Sequence, residues 1–322
     1  MAEVSGLRAL VRRAWAANRP LVAVGAVSGL ITVGALVGLA VDPREITGQP
    51  AWAKPARFAF SFGLYGVTLI WLLTFVRGHD RLVRVMSWAA VVSVAIEGAG
   101  ASWAAAAGTT SHFNFSSVTT GTRIIVMLVA SLTLVLMGVV TVGLLLRERV
   151  EPPALAWAMR LGLVVTITSM VVAYLMVRPT PAQEIAADRG HGMPIIGAHT
   201  VGPPDGGPGM PITNFSTAGG DWRVPHFVGV HSLQVLCLLG LLLTLGPRTL
   251  GPRHRTALVW IAAGACLALT GILTWQAHRG RPLTSPDTAT VAMLAVLVIA
   301  AAAAGAAVFL HARGSQRAVG DP

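Results

Sequence analysis

The chain has 322 residues, of which 54% are apolar and 11% charged, with a mean hydropathy of +0.68. A soluble domain carries roughly a quarter charged residues, so this composition excludes an ordinary water-soluble globule. The net charge of +11 does not indicate a nucleic-acid partner, because the basic residues are scattered through short segments and form no stripe.

About 30 Å of hydrocarbon at 1.5 Å per residue takes roughly 20 apolar residues to cross. Eight runs meet that length, at 20–41, 58–76, 84–106, 122–146, 155–176, 225–246, 257–277 and 289–312. The first follows a basic stretch, as a signal peptide would. Its 22 residues are enough to span, and the duplication described below implies that it is retained. Cys237 and Cys266 fall inside apolar runs, where Cys is a small hydrophobe and not part of a disulfide framework.

Orientation follows the distribution of Lys and Arg. Fifteen basic residues lie in the tails and the loops of one side, including Arg8, Arg12, Arg13, Arg77, Arg81, Arg147, Arg248, Arg253 and Arg317. Nine lie in the longer loops of the other side. Both termini are therefore expected in the cytoplasm, and the protein in the plasma membrane as a multi-pass chain.

Three landmarks recur in order. The first span ends Val41-Asp42-Pro43-Arg44, and the fifth ends Val177-Arg178-Pro179. The second opens Lys54-Pro55-Ala56-Arg57-Phe58, and the sixth Arg223-Val224-Pro225-His226-Phe227. The third closes on Trp103 and Gly108, the seventh on Trp275 and Gly280. An insertion after the fifth span accounts for the change of offset. The expected fold is an all-α polytopic membrane protein of eight helices in two parallel four-helix repeats. Its parts are a tail at 1–19, repeats at 20–146 and 155–312, an outer loop at 178–224, and a tail at 313–322. The loop's Gly202–Pro211 stretch cannot be helical, and loops of this length are lids, binding loops or disordered.

Candidate chemistry gathers on the outer side. His112, His191, His199, His226, His231 and His278 belong there, whereas His79, His254 and His311 sit beside Arg on the inner side and read as solvated. Imidazole near a bilayer surface must be paired, hydrated or ligating, and it is the commonest transition-metal ligand. His231, His226, His278 and His112 are the candidate cofactor ligands, with His231, His278 and His112 the set for a metal. His226 and His231 are five apart and point about 140° away from each other on a regular helix, so one ion would need ligands from another helix. Interfacial hydrogen bonding is the competing reading for each of them. Glu97 is the one acid within a predicted span and the candidate catalytic group, as proton acceptor or as a second-layer partner of a ligand. It competes with a plain helix–helix hydrogen bond. Lys54, Arg57, Asp221, Arg223 and Gln234 are candidate substrate contacts, although Lys54 and Arg57 also fit snorkelling anchors and Asp221 and Arg223 fit a local pair. Trp52, Trp103, Trp222 and Trp275 form an interfacial belt.

Trp52-Ala53-Lys54-Pro55-Ala56-Arg57-Phe58, Ser111-His112-Phe113-Asn114 and the run from Gly219 to His231 together resemble a group of uncharacterised actinobacterial multi-pass membrane proteins. That resemblance implies a shared fold and brings no activity. A looser likeness, in architecture alone, is to the haem A synthases, with eight helices in two halves and histidine haem ligands. This chain departs from that pattern, because its second and eighth spans contain no histidine. His231 alone resembles a ligand position.

The sequence thus supports three functions. The first is a haem- or metal-dependent oxidoreductase with an outward-facing histidine site. The second is a transporter of two parallel repeats, and the third a non-catalytic scaffold or sensor. The expected partners are the lipid bilayer and a small-molecule or lipid substrate from the outer side. The expected cofactor class is haem or a transition metal.

Overall fold

The computed structural model describes residues 18–246 and 250–320, three isolated positions before them, and no side chains for 316–320. The N-terminal tail expected at 1–19 and the loop arginine Arg248 therefore lie largely outside the described residues. Eight helices are long and apolar enough to cross a membrane. They are α1 (Arg19–Val41), α2 (Ala53–Leu73), α3 (Asp80–Ala106), α4 (Val118–Arg147), α5 (Pro153–Ala173), α7 (Arg223–Leu245), α8 (Pro252–His278) and α9 (Thr288–Gly320). Between α5 and α7 lie a 3-10 turn (Tyr174–Val177), the short helix α6 (Pro181–Asp188), and strands β1 (Thr200–Val201) and β2 (Gly220–Asp221).

The chain divides into two units. The first takes the described residues up to Thr141 together with Pro179–Gly197; the second takes Val142–Arg178 and Ala198 onward. In the first unit, Asn18 caps α1 by accepting from Leu21 N at 3.1 Å, and its amide donates to Ser87 Oγ on α3 at 2.6 Å. In the second, α5 and α7 approach through small residues. A Cβ on Gly229 would run into Ser169, and one on Gly240 into Ala158. Close backbone approach of this kind is how helices gain contact where lipid supplies no hydrophobic drive. A buried cluster of Ala154, Ala158, Leu236, Val259 and Ala263 joins α8 to that pair.

Helix ends in the two units share their details. α2 and α7 both open after a tryptophan, Trp52 and Trp222, with Pro55 and Pro225 at the third helical position. α3 and α8 close on matching bonds. Thr109 N donates to Ala104 O and Arg281 N to Gln276 O, with Gly108 at φ +67 and Gly280 at φ +69. This is the glycine-terminated helix end that satisfies the last carbonyls. α4 and α9 open on Ser117 and Asp287, which accept from Thr120 N at 3.2 Å and Thr290 N at 2.9 Å. An arginine also covers each closing tryptophan, Arg123 over Trp103 at 4.5 Å and Arg279 over Trp275 at 4.1 Å.

Two helix and loop details refine the sequence expectations. The second span starts at Ala53, five residues before the first residue of its apolar run and one before the Lys54 opening read from the landmarks, so Lys54 and Arg57 lie in its first turns. The long outer loop also carries its own structure. Thr180 and Gln183 form a reciprocal cap on α6, and β1 pairs antiparallel with β2, Thr200 opposite Asp221. The Gly/Pro-rich stretch between them contains no helix, as its composition requires.

Candidate functional site

In the first unit, the turn between α1 and α2 aims Lys54. Trp52 Nε1 donates to Asp42 at 2.8 Å, and its indole occupies the space that a side chain at Gly38 would fill. Arg44 bonds the same carboxylate at 2.7 Å and donates to the carbonyls of Ala105 and Ala106, at the end of α3. The Arg44 guanidinium and the Trp52 indole hold the Asp42 carboxyl below the usual carboxylate range. The turn is thereby tied both to its own helix and to α3.

From this platform Lys54 Nζ reaches His112 Nδ1 at 3.1 Å. Ser111 Oγ lies 2.8 Å from the same nitrogen. An ammonium can only donate, so Nδ1 is an acceptor and the neutral ring carries its proton on Nε2. Phe58 lies beneath the ammonium, its ring centroid 5.5 Å away. Glu97 is 4% exposed, and Lys54 is the cation that acts on it. The carboxylate stands nine residues before the end of α3, roughly 13 Å along the axis. Arg57 donates to the amide oxygen of the buried Gln49.

The backbone next to His112 is strained. Phe113 sits at φ +72 although it is not glycine, a conformation costing about 1–3 kcal/mol that persists only when its surroundings fix it. Here they do. Ile196 N donates to Phe113 O at 2.8 Å, and Phe115 N to Pro194 O at 2.7 Å. Gln183 of α6 grips Gly197 in turn, accepting from its N–H at 2.9 Å and donating to its carbonyl at 3.0 Å. Part of the outer loop thus clamps the segment that carries His112.

In the second unit, His226 Nδ1 lies 3.1 Å from Ser169 O. A carbonyl only accepts, so Nδ1 carries the proton, and in the neutral ring Nε2 keeps a lone pair. His231 stands edge-on to Phe227, with centroids 4.5 Å apart, and Gln234 follows it one turn on along α7. His278 leans on Trp222 at 5.8 Å. Asp221 and Arg223 bond each other at 2.5 Å, and Asp221 also accepts from Ser216 N at 2.8 Å. They close the base of the loop as a local pair.

His112 therefore belongs to the first unit and the other three candidate ligands to the second. Among the described residues no three His, Cys, Asp or Glu side chains converge to hold a metal ion. Two arrangements escaped the sequence reading. Asp205 accepts from His199 Nδ1 at 2.7 Å, Thr200 Oγ1 at 2.7 Å and Thr200 N at 2.9 Å, knotting the outer loop. The adjacency of these residues in sequence was the available signal. His254 and His311, read as solvated, bond each other at 2.9 Å between α8 and α9. Nothing local announces that pairing.

No family model matches the chain, and no curated protein or solved structure shows significant similarity to it.

Proposed function

We propose that this protein is a plasma-membrane protein of two parallel four-helix repeats, with cytoplasmic termini, that works through Lys54, Glu97 and His112 at its outer face. The site binds a small anionic molecule and lets a proton move between the carboxyl and imidazole groups. One observation carries the reading: Lys54, whose charge acts on the buried carboxylate of Glu97 within a span, lies 3.1 Å from the imidazole of His112. Ionisable groups inside a bilayer are costly and mark ligand or proton paths. The shared helix-end details support the repeat, and the arginine-rich loops support the orientation. Such a site suits a permease or a membrane enzyme.

The test is a thermal-shift screen of the detergent-purified protein against carboxylates and phosphates. An anion that raises the midpoint of the wild type but not of Lys54→Met supports the site. A flat response across both classes refutes it.

A second reading, haem- or metal-dependent redox chemistry, rests on His226. Its Nδ1–H bond to a carbonyl is the arrangement that orients a ligating imidazole. A Soret band or bound metal that disappears in His226→Ala or His231→Ala would establish it. Colourless, metal-free protein would end it.

A further inference from the structure

At the arginine-rich end of the second unit, an open cleft of about 650 Å³ is lined by Pro153, Arg253, Thr256, Ala257, Trp260 and Ile261, among others. Its walls are almost wholly apolar. Trp260 is 48% exposed, with its other neighbour Trp157 at 4.8 Å. Because α8 is a spanning helix, the medium that meets this cleft is the bilayer.

The rim is cationic. Arg253 lines the cleft, and among the described residues no carboxylate lies within ion-pair distance of it. The neighbouring arginines are engaged elsewhere. Arg160 donates to Leu145 O at 2.8 Å and Arg255 to Thr244 O at 3.2 Å. Two helices also begin here, α5 at Pro153 and α8 at Pro252, each without a side-chain cap or an acid in its first turn. Uncapped N–H groups and the helix dipole both favour an anion at such ends. Among the described residues, the arginines at this end of the unit are Arg147, Arg149, Arg160, Arg253, Arg255 and Arg313, against the acids Glu148 and Glu151.

We propose that this cleft is a binding site for an acidic phospholipid, with its phosphate at Arg253 and the two helix starts and an acyl chain along Ala257, Trp260 and Ile261. Charge complementarity selects the head group, and the apolar wall beneath it selects a lipid over a free anion. The inference is independent of the site in the first unit.

The experiment is native mass spectrometry of the detergent-purified full chain, titrated with phosphatidylglycerol or phosphatidylcholine. The wild type should bind phosphatidylglycerol more tightly. Arg253→Ala should lower that preference about fivefold, the loss of one basic contact near a membrane surface, while Arg253→Lys retains most of it. Equal binding of the two lipids, an unchanged preference in Arg253→Ala, or equal competition by inorganic phosphate would each overturn the proposal. A circular dichroism spectrum matching the wild type establishes that the variants are folded.

Discussion

Lys54 Nζ lies 3.1 Å from His112 Nδ1, joining the first turn of α2 to the loop between α3 and α4 across 58 positions of sequence. The same ammonium acts on Glu97. One cation therefore serves both a buried carboxylate and a neutral imidazole, and its removal takes a compensating charge from the carboxylate.

Lys54→Met should lower the stability of the detergent-solubilised protein by about 1–3 kcal/mol, the cost of leaving a buried polar group less well compensated. Glu97→Gln should cost less, because it removes the charge that needs compensating. The double variant should recover part of the Lys54→Met loss. Thermal unfolding of all three provides the check, and strictly additive effects would disprove the coupling.

The loop knot at Asp205 should be acid-labile. Burial raises its carboxyl, but the hydrogen bonds from His199 and Thr200 outweigh burial and hold it below its ordinary value of 3.8. A depressed folded value means that the contribution is present above pH 3.8 and is lost as pH falls through the folded value. Limited proteolysis of the outer loop should accelerate in strong acid. Asp205→Asn should show the faster cleavage already at neutral pH.

Asp287 caps α9 at Thr290 and pairs with Arg279 at 2.5 Å, and these bonds lower its carboxyl from 3.8 to about 2. By the same sign, its contribution is present above pH 3.8 and fades toward pH 2. Asp287→Ala should reduce the thermal midpoint at neutral pH. Asp287→Ser should restore part of it, since serine can keep the cap, as Ser117 does at the start of α4. Equal midpoints for the two variants would show that the cap contributes nothing.

Close packing of α5 on α7 gives a paired prediction. Gly229→Val places a side chain against Ser169 and should cost about 2 kcal/mol through overpacking. Gly264→Ala, with nothing within 4 Å of the added carbon, should be tolerated. Unfolding midpoints of the two variants measure the contrast.

The eight spans were readable in the amino-acid sequence because a bilayer imposes a local test: about 20 apolar residues in succession. The Asp221–Arg223 pair was equally readable, since its partners stand two residues apart. Other features were not readable from hydropathy, and tertiary structure alone decided those that join distant residues. The turn before α2 is fixed because the Trp52 indole docks beside Gly38 and bonds Asp42, contacts that no pattern of apolar residues encodes. The outer loop's own structure rests on bonds between near neighbours in sequence, Thr180 with Gln183 and Asp205 with His199 and Thr200, which hydrophobic periodicity does not read although their adjacency was a signal. His254 found His311, and Lys54 found His112, each across 57 or 58 residues. Hydropathy identifies which segments leave water, but a polar side chain inside them takes its role from partners that only the packing of helices brings within bonding distance.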